Sequence, residues 1–524
     1  MKSKEKETKL SNSLKLIAAS SLIVLFGTLF SKILTYVYRI IIARSYGPES
    51  YGLFSLALVI VSMFATISSL GLSEGISRFI PLFRGRNEKS KIQFAFRFLL
   101  YSLLALGLIF GTILFISSNF IALNLFKNAS LTFYIQIFSI LILFTLLSNI
   151  FLGFLRAYEK VVWSSFIFNI IQNVVKLILI ILFILIGLRT EGIALSYLGG
   201  VLIMAIFAYI VCKIIIPEMF LKSKINKEGK KLIIKEILAY SLPMMFFGIS
   251  YVSFYWIDSV LLGYLKNAES LGFYSAVMPI ALLLTVTSDI FMQLFFPLIN
   301  KEYSKKNFKL IKELSKQVAK WILIINLPVF IIFILFPGAV INILFGETYL
   351  VAENALRILS FGGLVSSILI ISNSILSMAG KSKTLLADML VATVLNIILN
   401  YILIPLPKIW SLDNSLGING AALATTVSIL FYNLLLLIHA KKYTSIVPIR
   451  RKMLSILLSA LIPTVVLLYL RSIIPISTMT LIIISLLFIS FYIVMIFLTK
   501  GLDRNDIKIL SLIKNKIKLS KTTH

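Results

Sequence analysis

The chain has 524 residues, 59% of them hydrophobic and 14% charged, with a mean hydropathy of +0.99. Soluble chains carry about 25% charged residues, so a water-soluble globule is excluded and a polytopic membrane protein remains. One cysteine, Cys212, excludes an intrachain disulfide or a Cys-rich zinc site, and two histidines, His439 and His524, leave almost no material for His-based metal or acid–base chemistry. The formal charge of +30 would suggest nucleic acid in a soluble domain, a reading that depends on where the charges lie.

In chain order, apolar runs of about 20 residues bounded by charges or turn residues predict about fourteen transmembrane helices. They cover 16–43, 51–80, 92–117, 131–155, 162–187, 192–215, 237–263, 271–299, 318–345, 352–379, 384–405, 417–440, 453–474 and 476–499, with Pro475 alone separating the last two. The lysine-rich start runs into a span far longer than a signal-peptide apolar region and lacks a small-residue cleavage site, so the N-terminus is expected to stay in place. Of the Lys and Arg residues in the connections, 38 fall on the side of the N-terminus, and only Arg44, Lys127, Arg189, Lys266, Lys408 and Arg471 fall on the other. The positive-inside rule then predicts a multi-pass plasma-membrane protein with both termini in the cytoplasm. The basic charge is topogenic, and no nucleic-acid partner is expected.

The sequence also repeats itself. Gly47-Pro48-Glu49-Ser50-Tyr51-Gly52-Leu53-Phe54-Ser55 matches Asn267-Ala268-Glu269-Ser270-Leu271-Gly272-Phe273-Tyr274-Ser275 at an offset of 220. Phe79-Ile80-Pro81-Leu82 echoes Phe295-Phe296-Pro297-Leu298. Asn169-Ile170-Ile171-Gln172-Asn173 returns as Asn396-Ile397-Ile398-Leu399-Asn400, and Gly192-Ile193-Ala194-Leu195 as Gly420-Ala421-Ala422-Leu423. The offset covers six spans, an even number, so the second copy enters the membrane in the same sense as the first. An all-α fold of two parallel six-helix repeats, related by an axis along the membrane normal, is expected. The expected divisions are an N-lobe at 1–216, a cytoplasmic linker at 217–236, a C-lobe at 237–440, extra helices 13 and 14 within 441–499, and a basic cytoplasmic tail at 500–524.

The run Ala43-Arg44-Ser45-Tyr46-Gly47-Pro48-Glu49-Ser50-Tyr51-Gly52, then Leu70-Gly71-Leu72 and Ser77-Arg78-Phe79, resembles the polysaccharide biosynthesis proteins. So do Asp258 with Leu271-Gly272-Phe273-Tyr274, and the stretch from Leu395-Asn396 to Ala422-Leu423-Ala424-Thr425. These are the Wzx-type oligosaccharide flippases of the multidrug/oligosaccharidyl-lipid/polysaccharide (MOP) exporter superfamily. The resemblance covers nearly the whole chain. It implies two six-helix lobes around a central cleft, plus two C-terminal helices, moving a polyprenyl-linked glycan from the inner to the outer leaflet. Weaker likeness extends to the lipid II flippases and the multidrug cation antiporters.

An ionised side chain at mid-bilayer costs about 2.5–3.5 kcal/mol on insertion scales, so those within the spans call for a reason. They are Lys32, Arg39, Arg78, Arg97, Lys176, Lys320 and Arg357, against Glu74, Asp258, Asp289 and Asp388. The first lobe is net basic and the second slightly acidic. Bases suit a diphosphate, and Arg can grip phosphate oxygens with two donors at once, which makes the N-lobe the expected anion site. Arg97 and Lys320 lie near cytoplasmic span ends, where they can also snorkel. Glu74 and Arg78 are four residues apart and either neutralise each other or bind ligand. Lys32 and Lys176 lie deepest and are expected to face the cleft. Asn169, Gln172, Asn173 and Lys176 fall on one helical face, a polar stripe that suits either a wet cleft or interhelical hydrogen bonds.

In the second lobe Asp388, Ala392, Asn396 and Asn400 recur every four residues, and their oxygens are hard ligands fit for Na⁺ or a proton relay. In the flippases and antiporters that the chain resembles, an acid on span 7, an Asn pair on span 11 and a Thr on span 12 can form a cation site. Asp258, Asn396, Asn400 and Thr425 or Thr426 occupy such positions, with Asp388 nearer the cytoplasmic end. Asp258 has a second expected role, as a gate latched to Arg357.

Gly380-Lys381-Ser382 looks like part of a phosphate loop, but Ile375 stands where its first glycine is required, so ATP binding is unsupported. Gly107 and Gly111 form a GxxxG pair that more often marks ordinary helix packing. The reading is a non-enzymatic flippase of a lipid-linked anionic oligosaccharide, with Lys32, Arg39, Arg78 and Lys176 on the diphosphate. It needs no cofactor beyond Na⁺ or H⁺ as coupling ion. Its expected partners are membrane lipids, the lipid-linked substrate and the polymerase or transferase machinery of the glycan, with the chain itself a monomer. Two alternatives are a cation-coupled multidrug antiporter, disfavoured by the basic N-lobe, and a membrane-embedded glycosyl or phosphoryl transferase, which should show acids clustered near an interface.

Overall fold

The computed structural model describes the backbone of residues 2–188, 190–473, 477–499 and 501, with side chains from residue 26 onward except at 294 and 297. Arg189, Pro475, Lys500, His524 and the rest of the tail beyond Gly501 lie outside the described residues. Within them the chain is almost wholly helical. Apart from connecting turns and loops, the exception is a two-residue ladder, β1 (Lys408–Ile409) against β2 (Leu412–Asp413). Thirteen of the described helical segments are long and apolar enough to cross a membrane. Their outward faces are apolar too, with Leu461, Val465, Leu486 and Leu487 all more than half exposed. Such a surface is stable only against lipid, where every backbone polar group must be satisfied inside its own helix.

The first helix, α1 (Lys2–Ser68), carries the segments read as spans 1 and 2. Its apolar part, Phe26–Ser68, has 43 residues, which at 1.5 Å per residue is about twice the ~30 Å hydrocarbon core. The helical conformation fails at Gly47 (φ 79°, ψ 175°), and Pro48 follows. Glycine tolerates that backbone and proline suits a helix start, so Gly47-Pro48 divides the two crossings. The second crossing stops sooner than the sequence suggests. Leu70 and Gly71 both turn left-handed before α2 (Leu72–Gly85) begins. Here a Cβ on Gly71 would lie 2.8 Å from the backbone nitrogen of Met245, so the break is also where the chain meets the eighth helix.

The remaining helices follow the hydropathy pattern. They are α3 (Lys89–Phe120), α4 (Ser130–Ala157), α5 (Val161–Ser165), α6 (Gln172–Leu185), α7 (Thr190–Ile215), α8 (Lys227–Leu265), α9 (Ala268–Ser304), α10 (Phe308–Leu335), α11 (Pro337–Phe345), α12 (Glu353–Met378), α13 (Ser382–Leu403), α14 (Ile418–Thr444), α15 (Lys452–Ile473) and α16 (Thr478–Leu498). Between α5 and α6 the helix widens into a π-helical stretch, Phe166–Ile171. Gly380, at φ 70°, makes the turn between α12 and α13, and Lys381-Ser382 open α13 there.

The chain forms two compact units, Met1–Ala276 with Met389–Ala424, and Val277–Asp388 with Thr425–His524. In the first, α4 packs against α1, α3 and α7, while α6 packs on α7 and α8 on α1 and α2. Gly107 and Gly111 let α3 approach α4, since Cβ atoms there would lie 3.1 Å from Leu143 Cα and 3.0 Å from Ser139 O. The GxxxG pair therefore serves packing within the chain. In the second unit α10 packs on α12 and α15, and α16 on α15 and α11.

Candidate substrate cavity

The first unit encloses a cavity of about 770 Å³ lined by α1, α2, α4, the π-helical stretch, α6, α7 and α8. Its polar lining comes from Ser31, Thr35, Ser62, Thr66, Ser69, Ser73, Glu74, Thr145, Asn149, Gln172, Asn173 and Lys176. Apolar α7 and α8 residues, among them Met204, Met244 and Phe247, close the rest.

Lys176 is 5% exposed. Its Nζ lies 4.7 Å from the centre of the Tyr197 ring and 5.7 Å from that of Tyr38. Among the described residues it has no hydrogen bond and no ion pair. The two ring faces attract a cation but leave its three donors unused. Tyr38 is itself fixed, its hydroxyl 2.9 Å from Ser196 Oγ and 3.2 Å from Ile193 O. Gly200 on α7 makes room for the lysine stem: a Cβ there would collide with Lys176 Cγ and lie 3.0 Å from Gln172 O. This arrangement suits capture of an anion, whose oxygens would supply the missing acceptors.

The stripe on span 5 divides. Asn173 Nδ2 donates to Ser31 Oγ at 2.9 Å and to Asn169 O at 2.8 Å, and Thr35 Oγ1 donates to Asn173 Oδ1 at 3.2 Å. Asn169 Nδ2 donates to Ser165 Oγ at 2.8 Å and stays out of the lining. Gln172 and Lys176 face the cavity without a hydrogen-bond partner among the described residues. Because Asn169 lies in the π-helical stretch, whose i→i+5 bonding is wider than an α-turn, the even spacing of four polar residues does not survive as one face.

The other basic candidates lie outside the lining. Lys32 and Arg39 are on α1, and Arg39 Nη1 donates to Tyr51 Oη at 3.4 Å. The Arg78 guanidinium sits 4.4 Å from the centre of the Tyr240 ring rather than pairing with Glu74. Arg97 Nη2 donates to Phe220 O at 3.4 Å, which ties α3 to the short turn Pro217–Phe220. Glu74 reaches the cavity from the first turn of α2.

Asp258, 1% exposed, accepts from Ser259 N at 2.7 Å, Ser259 Oγ at 3.3 Å and Tyr274 Oη at 2.5 Å. Asn396 Nδ2 donates to Phe254 O, one turn before Asp258, at 3.3 Å. Asn400 Nδ2 donates to Asn396 O at 2.9 Å and to Asn396 Oδ1. Asn400 Oδ1 is buried with no donor among the described residues. In the second unit, Thr425 is buried and Thr426 Oγ1 donates to Ile358 O at 3.0 Å. Arg357 donates to Ile334 O at 3.1 Å and Asn354 Oδ1 at 2.6 Å, and lies 3.5 Å from Glu353. Asp388 lies 2.8 Å from His439 Nδ1. No spacing in the sequence links that histidine to Asp388. Tyr38, Tyr197 and Gly200 were missed for a similar reason: in an apolar span each reads as ordinary packing.

Apolar helices of membrane-crossing length around a polar cavity define a polytopic membrane transporter. The chain belongs to the polysaccharide biosynthesis protein family, whose model matches residues 17–302. The MatE model matches residues 243–402. The chain is 26% identical over 409 residues to an uncharacterized membrane protein of Methanocaldococcus jannaschii, covering 75% of this chain and 77% of that one. It is 21% identical over 487 residues to the lipid II flippase MurJ of Bacillus subtilis, covering 86% and 87%. Among solved structures it is similar to a multidrug resistance MATE family transporter of the MOP superfamily in an inward-facing conformation. That match has a TM-score of 0.65 at 16% identity, over 81% of this chain and 99% of the other.

Proposed function

We propose that the chain flips a polyprenyl-diphosphate-linked oligosaccharide from the cytoplasmic to the outer leaflet of the plasma membrane by alternating access, with both termini in the cytoplasm. The observation that carries this reading is Lys176, a buried ammonium at a cavity of about 770 Å³ that has aromatic faces but no acceptor among the described residues. A cation held so is costly unless a ligand completes it, and a diphosphate supplies both charge and acceptors. The serine, threonine and amide groups around it suit sugar hydroxyls. The flippase name of the Bacillus relative supports the same reading.

Coupling to Na⁺ or H⁺ is part of the proposal. The oxygens of Asp258, Asn396 and Asn400 are hard donors, and the buried Asn400 Oδ1, which has no partner among the described residues, fits a cation that would complete it. A bound cation would supply a charge whose affinity differs between conformations. A cation-coupled multidrug antiporter is the second reading, favoured by Glu74 in the cavity lining. Reconstituting the full chain in liposomes separates the two. Delivery of a lipid-linked oligosaccharide to the opposite leaflet supports the flippase, whereas gradient-driven movement of a lipophilic cation with no lipid movement supports the antiporter.

A further inference from the structure

The cavity holds a second ionisable group that the diphosphate does not use. Glu74 lines it, and among the described residues its carboxylate makes no hydrogen bond and no ion pair, with Lys176 or any other base. Arg156 is within electrostatic reach, but its guanidinium donates to Ser164 Oγ at 3.5 Å. Beside Glu74 on α2, Ser73 Oγ is buried with no partner among the described residues. Thr145 and Asn149 of α4 line the same cavity, also without a side-chain partner among the described residues. These groups are acceptors and donors waiting for hydroxyls, and their one charge is negative.

The geometry points to Glu74 as the residue that reads the sugar of the head group. It accepts hydrogen bonds from the hydroxyls of a neutral or amino sugar, and it turns away a sugar bearing a carboxylate. This rests on the flippase reading and narrows its substrate class. A carboxylate accepts from two hydroxyls at once, and charge-assisted bonds of that kind are the stronger ones. A hexuronic acid would instead bring like charge up to a carboxylate that no base among the described residues pairs. Helix α2 offers Glu74 a humbler role, since an acid in a first turn favours the helix dipole. That role acts on folding and is blind to the sugar.

The test uses the detergent-solubilised full chain and three amphiphiles: polyprenyl diphosphate alone, the same lipid carrying one neutral hexose, and the same lipid carrying one hexuronic acid. Binding is measured for wild type, Glu74→Gln and Glu74→Ala, with the melting midpoint recorded for each. The wild type is expected to bind the hexose form at least about tenfold tighter than the hexuronate form, a difference of about 1.4 kcal/mol. In Glu74→Gln that ratio should fall below about threefold through a gain for the hexuronate, while the sugar-free lipid binds as before. An unchanged ratio in Glu74→Gln, or equal binding of both sugars by wild type, overturns the proposal. So does a change in melting midpoint with no change in ratio, which would leave only the helix-dipole role. If the sugar-free lipid does not bind wild type, the diphosphate reading fails first and the sugar reading with it.

Discussion

The motif that repeats at an offset of 220 meets itself in the structure, and the crossing can be broken with one methyl group. A Cβ on Gly52 would fall on the carbonyl of Ala268 and lie 2.8 Å from Gly272 N. Reciprocally, a Cβ on Gly272 would fall on the carbonyl of Pro48, 2.6 Å from its carbon. Ordinary Cβ contacts begin at 3.4 Å, so either alanine must push α1 and α9 apart: Gly52→Ala by more than half an ångström at the Gly272 nitrogen, and both by more at the carbonyl they meet. Backbone cannot rotate away as a side chain can. Overpacking of this kind costs about 1–3 kcal/mol, and the same displacement would strain the 3.1 Å bond from Tyr51 Oη to Ser275 O nearby. Gly52→Ala and Gly272→Ala should each lower the melting midpoint of the purified protein. Because both force apart the same crossing, the double variant should lose less than the two single losses added together. Melting by Gly52→Ala at the wild-type midpoint, or strict additivity in the double variant, would refute this account of the crossing.

Gly200→Ala should displace the Lys176 stem and slow lipid movement by about tenfold while the protein stays folded, an effect of about 1.4 kcal/mol readable in liposome flipping. Wild-type rates would mean the lysine does not need that position. Asp258→Asn, measured under imposed Na⁺ and proton gradients in turn, should abolish gradient dependence if Asp258 is an ion ligand. Retained dependence, with flipping restored by also neutralising Arg357, would mark a latch instead. Reporter fusions after Lys231, Lys306 and Lys442 should read cytoplasm and those after Asn128 and Lys266 the outside, and reversal of either set would break the topology.

Hydropathy made the spans legible because lipid imposes length and composition on every crossing, whatever the partner helices. Gly47-Pro48 was legible for a local reason: no other pair both breaks a helix and restarts it so cheaply. The left-handed turn at Leu70-Gly71 was not, since only the approach of Met245 from α8 reveals why the chain bends there. Of the site, Lys176, Gln172 and Glu74 could be picked out as polar groups in apolar surroundings. That Asn169 leaves the lining and that Asn173 spends its amide within the protein could not, because both depend on the π-helical stretch and on Ser31 and Thr35 from another helix. Arg78 and Arg97 show the same limit, for a ring face at Tyr240 and a carbonyl at Phe220 engage them, and neither contact has a spacing to betray it.

The central claim is that Lys176 holds an anion, and the affinity of the purified chain for polyprenyl diphosphate tests it most directly. A charge-assisted hydrogen bond contributes about 1.5–3 kcal/mol, so Lys176→Ala should weaken binding by at least about tenfold. Lys176→Arg should retain part of the affinity, and both variants should melt near the wild-type midpoint. Binding of the lipid by Lys176→Ala with wild-type affinity would contradict the account.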